Sequence, residues 1–403
     1  MEKIRGLLRE MLASDSAVFP SQQSYQVAHP GFITNDYTGA AMGGLCASLL
    51  LRQTGGAEAI AALAARLCNP QPNPYWAVQS ALVGRVDGGD FSVAEAGTIP
   101  WIGDDSTARL ADDLGGLLRR AVRLGTVAAD SLDALKVLAT TAEFACVLTY
   151  AQVPSLQLTA AMVPLLVTVS SDAHTVRDAS ARGSLPVLHS TVDNWVVSKL
   201  KATVAEKLGS SVHDRKVVEE FLTDTQPYGR GAKAKRLERS QKLVEKTPEV
   251  LGRIVANGEQ NDDLSLPAAL VLLDLLRATM AQSYSHWFEH HARRCGFLAP
   301  RAGTTVKRFC VEAPLATTLV LAATEDNETH VPYGEWLARL RDRFGILVGA
   351  DARTRSMTPR ASEADLEENR DALSDLLTRI GLARAYSDNT VEVLNPLAIW
   401  SGK

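Results

Sequence analysis

The sequence predicts a mainly α-helical protein, and three features carry that expectation. Phe, Trp and Tyr together make up only 6% of the 403 residues, while Ala and Leu are abundant, a balance that suits packed helices better than a β-sandwich. Apolar residues recur three and four apart over several long segments, which is the helical period. The 28 glycines and 17 prolines punctuate the chain between those segments. With 22% charged residues, 46% hydrophobic residues and a net charge of −4, the composition excludes disordered, collagen-like and low-complexity classes. A chain of this length outgrows a single core, so two or three domains are expected, each large enough to fold without disulfides or metals.

In chain order, Met1–Leu12 reads as a short amphipathic helix with Lys3, Arg5 and Arg9 beside Glu2 and Glu10, without the apolar stretch of a signal peptide. Gly31, Gly39, Gly43 and Gly44 are not followed by the Lys of a phosphate loop, so tight turns or close helix approach explain them better than nucleotide binding. Helices are expected over Ala57–Leu67, Asp104–Leu124 and Leu132–Tyr150, the second capped by the Asp104-Asp105-Ser106 side chains. Between the first two, Cys68–Tyr75 holds three prolines and must be a loop. Residues 1–197, with 13 basic and 18 acidic side chains, are expected to form a helical N-terminal domain.

Residues 198–308 reverse the balance, with 19 basic against 13 acidic side chains, a local charge of +6. Within Tyr228–Lys246 lie Arg230, Lys233, Lys235, Arg236, Arg239, Lys242 and Lys246 against Glu238 and Glu245. Lys235, Arg239, Lys242 and Lys246 share one helical face, and Pro227, Gly229 and Gly231 make Thr225–Ala232 a connector. A second run, Arg293, Arg294, Arg301, Lys307 and Arg308, spans 16 residues without a carboxylate. A solvated helix face would explain either run alone. Together, in an otherwise acidic chain, they point to a polyanion surface, because Lys and Arg gain affinity by releasing counterions from phosphates.

Residues 309–403 return to −5, and their pattern is that of a winged-helix-like domain. Helices are expected over Pro314–Thr324, over Tyr333–Phe344 with Trp336, Leu337, Leu340 and Phe344 on one face, and over Ser362–Ile380 with Leu366, Leu373, Leu376, Leu377 and Ile380 recurring helically. Gly381 closes the third helix, and Leu382–Leu394 reads as strand, Ser-Asp-Asn turn, strand. In a DNA-reading winged helix the third helix enters the major groove. Here that helix carries Glu363, Asp365, Glu367, Glu368, Asp371 and Asp375 against Arg370 and Arg379, and DNA would repel it. Glu367, Glu368, Asp371 and Asp375 are therefore expected to bind a partner protein, which leaves nucleic acid to the basic middle segment.

One string looks catalytic. His286-Trp-Phe-Glu-His290 matches HxxEH, in which two His one turn apart bind zinc and the Glu serves as general base. The alternative function is thus a zinc-dependent hydrolase with His286 and His290 as ligands, Glu289 as base and a third ligand from Glu312, Glu325, Glu328, Glu367 or Glu368. The competing reading is the end of a long basic amphipathic helix beginning near Leu266, where His and Arg suit the helix dipole. The remaining histidines, among them His174 near Asp172 and Asp178, His189 near Asp193, and His29 and His330 in turns, accompany no GxSxG elbow or reactive Cys. Cys46, Cys68, Cys146, Cys295 and Cys310 form no CxxC pair, and the apolar or helical settings of four of them suit reduced thiols in a reducing cytoplasm. The most apolar stretches, Leu156–Val169 and Leu266–Leu276, fall short of the roughly 20 residues a membrane span needs.

Arg294–Arg301, Trp336–Gly349 and Ser387–Pro396 resemble the C-terminal part of accessory proteins encoded beside ATPases in bacterial anti-phage defence islands. The likeness covers the C-terminal quarter and carries over no catalytic residue. It implies a cytoplasmic subunit of a multi-protein, DNA-directed complex. Charge segregation and the missing catalytic constellation make the expected function a non-enzymatic adaptor without cofactor that binds double-stranded DNA without sequence specificity, and the resemblance adds co-encoded defence proteins, an ATPase among the candidates, as partners, with no membrane contact.

Overall fold

The computed structural model describes residues 42–68, 104–128, 131–224, 249, 252, 263–279, 284–300, 306–350, 360–387 and 390–400. Several sequence expectations lie outside them: the Met1–Leu12 helix, the glycines at 31 and 39, the proline loop after Cys68, the Thr225–Ala232 connector, the basic run Tyr228–Lys246, and Arg301. The fold is mainly α. The chain divides into two compact units, residues 1–186 with 290–403, and residues 187–289. Residues 1–186, most of the segment 1–197 expected as an N-terminal domain, share a unit with residues 309–403.

In the first unit, α1 (Met42–Leu51), α2 (Gly56–Cys68), α3 (Asp105–Val127) and α4 (Ser131–Thr159) form a helical core. Asp104 caps α3 as its sequence suggests, accepting from Ser106 N at 2.9 Å. Leu110, Leu114, Leu117, Leu118, Ala121 and Leu124 then fall on buried positions that pack against the other three helices. Gly115 lets α1 come close: a Cβ there would stand 2.5 Å from Leu49 O.

Helix α4 runs nine residues past its expected end at Tyr150 and contains Pro154. Gln152, fully buried, ties its last turns down. Its Nε2 donates to Val163 O at 3.0 Å and Phe344 O at 2.8 Å, and its Oε1 accepts from Val163 N at 2.8 Å. The Asp133–Thr159 stretch has the length and hydropathy of a membrane span, beyond the sequence expectation, but 56% of its apolar window is buried within the protein, as befits a core helix.

After α4, β1 (Leu165–Leu166) pairs in parallel with β5 (Ile346–Leu347), and Thr168 bridges Cys310. Helix α5 (His174–Ala179) continues through a π-helical turn, Ser180–Ser184, into α6 (Leu185–Leu208). The wider turn brings the Ser180 and Ser184 hydroxyls to the strands, where they accept from Phe309 N at 3.0 Å and Leu166 N at 3.2 Å. That satisfies two buried backbone donors.

The C-terminal part follows α9 (Tyr284–Arg294), with β2 (Leu298–Ala299) antiparallel to β3 (Arg308–Phe309). Then come α10 (Ala313–Ala323), β4 (His330–Pro332), α11 (Tyr333–Phe344), α12 (Glu363–Arg379), β6 (Ala383–Ala385), β7 (Val391–Leu394) and α13 (Pro396–Trp400). The three helices and the hairpin match expectation. His330–Pro332, expected as a turn, is instead a strand on β7, giving the antiparallel order β4-β7-β6. Trp336, Leu340 and Phe344 are buried, and Gly345 ends α11 at φ +72°. A Cβ at Gly345 would lie 2.7 Å from Val163 O, so glycine is needed both for the left-handed turn and for the close approach. On α12, Leu366, Leu373 and Leu377 are buried, whereas Ile380, expected on the same face, is exposed just beyond the helix.

The second unit contains most of α6, a 3-10 turn (Gly209–His213), α7 (Arg215–Asp224), α8 (Ser265–Thr279) and the first part of α9. Val204, Val212, Val218, Leu222, Leu264, Ala268, Val271 and Leu272 form its core. Asp214 and Asp263 hold the starts of α7 and α8, each accepting from a backbone N–H two residues on at 2.9 Å. The long helix expected from Leu266 through the HxxEH motif is described as two, α8 and α9.

Candidate functional site

The acidic helix α12 was the sequence's best candidate for partner contact, and its N-terminal half turns out to be anchored on its own chain. Ser362 caps it, accepting from Asp365 N at 3.2 Å. Asp365 Oδ2 accepts from Thr175 N at 2.7 Å and Thr175 Oγ1 at 2.9 Å at the start of α5. Those bonds hold its carboxyl below the usual carboxylate range. One turn on, Ser170 Oγ donates to Glu368 at 2.6 Å.

Asn369, fully buried, is the centre of this anchor. Its Nδ2 donates to Val167 O at 2.9 Å and Val348 O at 3.0 Å, while Oδ1 accepts from Val169 N at 2.7 Å and Ser170 N at 3.3 Å. Sequence reasoning missed it, since an Asn among carboxylates on a helix carries no signal of burial. Of the four residues assigned to partner contact, Glu367 pairs with Arg370 at 3.3 Å, while Glu368, Asp371 and Asp375 are exposed. Spaced by three and four residues, these three share one outward stripe.

A second charged cluster, not foreseen, joins α3 to the turn after α10 and to α11. Arg119 and Arg123 reach Asp326 at 2.8 and 2.5 Å. Arg120, 4% exposed, donates from Nε to Leu321 O at 2.7 Å, at the carbonyl end of α10, and stands 3.6 Å from Glu325. Arg339 forks onto Glu328 with two bonds of 2.7 Å, and Arg343 bonds Glu325. Asp113 lies at the edge of this network, 3.9 Å from both Arg343 and Arg109, and burial pushes its pKa up to about 6. The cluster joins parts of one unit.

The HxxEH residues are on α9, with His286 and Glu289 in the second unit and His290 in the first. His286 and His290 are exposed, and the His290 ring stacks edge-on against His291. Among the described residues no group of three or more His, Cys, Asp or Glu side chains is placed to hold a metal ion. Four of the carboxylates considered as third ligand have other partners: Glu325 bonds Arg343, Glu328 bonds Arg339, Glu367 pairs with Arg370, and Glu368 accepts from Ser170.

The remaining sequence candidates are dispersed. Asp193 accepts from Arg277 at 2.6 Å and from Tyr284, and His189 meets Phe288 edge-on. Asp178 pairs with Arg182 at 2.8 Å. Of the second basic run, Arg294 pairs with Glu143 at 3.1 Å, with His291 3.4 Å from the same carboxylate oxygen. Arg293, Lys307 and Arg308 are half-buried.

The fold and this surface define a helical protein with an acidic ridge. The chain matches no protein-family model, no curated protein and no solved structure.

Proposed function

We propose that this protein is a docking subunit of a multi-protein complex and that the exposed stripe of α12 is its contact with a partner of basic surface. The observation that carries the reading is the division of α12. Asp365, Glu368, Asn369 and the buried leucines fix the helix to the chain, and Asp371 and Asp375 face outward beyond that anchor. The order helix, strand, helix, a short strand paired with β1, helix, strand, strand and the sheet order β4-β7-β6 support a winged-helix-like reading of residues 309–403. In that arrangement α12 is the third helix, and its charge disfavours DNA.

The setting in an anti-phage defence complex rests on the C-terminal resemblance, which supplies the partners to test first. Pull-down of co-encoded proteins should be lost or weakened by Asp371→Arg with Asp375→Arg, two exposed positions whose change leaves the anchor intact. Binding indifferent to that pair overturns the docking reading. Contact with duplex nucleic acid is proposed for the basic segment Tyr228–Lys246, where the charge density of the sequence supports it.

A further inference from the structure

Cys46 on α1 and Cys146 on α4 bring their Sγ atoms to 3.7 Å across 100 residues of sequence. Neither is in a disulfide. The Cys46 thiol also points at Ala142 O, 3.7 Å away and one turn before Cys146, so it lies along the α4 surface. A disulfide needs its sulfurs about 2.05 Å apart, and side-chain rotation on two neighbouring helices is the kind of movement that closes the remaining gap. The other two described thiols have different settings. Cys295 Sγ donates to Ala292 O and Cys310 Sγ to Gly296 O, and both are buried. Of the four, Cys46 alone is partly exposed, while Cys146 is 1% exposed.

We propose that Cys46 and Cys146 form a thiol-oxidation site, in which Cys46 exchanges with a low-molecular-weight disulfide of the glutathione type and Cys146 resolves the product into a disulfide that joins α1 to α4. In the first step the Cys46 thiolate attacks one sulfur of the small disulfide. The S–S bond breaks, a Cys46 mixed disulfide forms, and the released thiolate takes up the proton that Cys46 lost. In the second step the Cys146 thiolate attacks Cys46 Sγ, the second small thiolate leaves, and it takes up the Cys146 proton. Two protein thiols lose two electrons, and one small disulfide is reduced to two thiols.

The order follows from access, because the reagent can reach only Cys46. The hydrogen bond with Cys46 and burial raise the Cys146 thiol above its ordinary range, which makes it a poor first attacker.

The test uses the reduced full-length chain, treated with oxidised glutathione, then alkylated, digested and read by mass spectrometry. The expected product is a Cys46–Cys146 cross-linked peptide, with both thiols lost together. Cys46→Ser should abolish the cross-link and leave Cys146 alkylated only after unfolding, and Cys146→Ser should accumulate one glutathione on Cys46. The wild-type experiment decides the matter even where the buried Cys146→Ser change impairs folding. A lasting glutathione adduct on wild-type Cys46, a disulfide from Cys46 to Cys68, or two unreacted thiols would each overturn the proposal.

Discussion

Replacing Asp113 by Asn should stabilise the protein at neutral pH, and the size of the gain follows from the geometry around it. The Asp113 side chain is 18% exposed, and its Oδ2 accepts no hydrogen bond among the described residues. Arg343 and Arg109 lie 3.9 Å away, too far to hydrogen-bond the carboxylate, and Glu325 adds a like charge. Burial outweighs the arginines and raises the pKa from 3.8 to about 6.

The folded state therefore holds the Asp113 proton more tightly than the unfolded chain. The group's favourable contribution is complete below pH 3.8 and is lost as pH rises through about 6. At about 1.4 kcal/mol per pKa unit, the ionised carboxylate costs about 3 kcal/mol above pH 7 and under about 1 kcal/mol near pH 4. Asn keeps the shape and carries no charge. Urea unfolding of wild type and Asp113→Asn across this pH range should show the variant ahead at pH 7.5, with the difference closing towards pH 4. A variant that is less stable at pH 7.5, or a gain of equal size at both ends, would refute the assignment of burial as the dominant effect.

Three further outcomes follow from other parts of the structure. Asn369→Leu removes the partner of two backbone N–H groups and two carbonyls in a buried site, so it should cost about 3 kcal/mol or more in denaturant unfolding; a loss below about 1 kcal/mol would mean that water replaces it. Oxidation of Cys46 and Cys146 closes a loop of 100 residues and should raise stability by up to about 4.7 kcal/mol on the chain-entropy argument, read as a higher melting temperature that a reductant reverses. Replacing Lys235, Arg239 and Lys242 by Glu should weaken duplex binding for all sequences alike and flatten the log–log salt slope by about 2 to 3 if each contacts one phosphate; a mobility-shift titration with no duplex binding, or unchanged affinity after the triple change, would favour a solvated helix face.

What the sequence made legible depended on how local the determining interactions are. Tyr333–Phe344 was readable to the residue, because Trp336, Leu340 and Phe344 mark the buried face and Gly345 supplies the left-handed stop within the same short stretch. Asp104 and Ser362 announce their helices for the same reason, each capping a backbone N–H within three residues. Strand β4 escaped notice because three residues ending in proline carry no alternation, and the partner that makes it a strand lies far downstream on β7. Charge segregation marks segments by their surfaces, whereas the two compact units are set by burial. The pairing of Thr141 with Thr318 at 2.9 Å, and of Arg120 with the carbonyl end of α10, stitches segments that net charge had kept apart.

The acidic helix shows how the two kinds of information combine. Its net charge was plain from sequence and argued against DNA, but which carboxylates were available was decided by Thr175 and Ser170, nearly two hundred residues earlier in the chain. Asp365 is held by two Thr175 bonds and Asn369 is locked beneath the surface, so a partner that engaged either would have to displace α5 or the backbone around Val167. Beyond Arg370 the buried residues of α12 are the apolar Leu373 and Leu377, on the side opposite Asp371 and Asp375. Charge reversal there should therefore change association without changing fold, whereas the same reversal at Asp365 should do both.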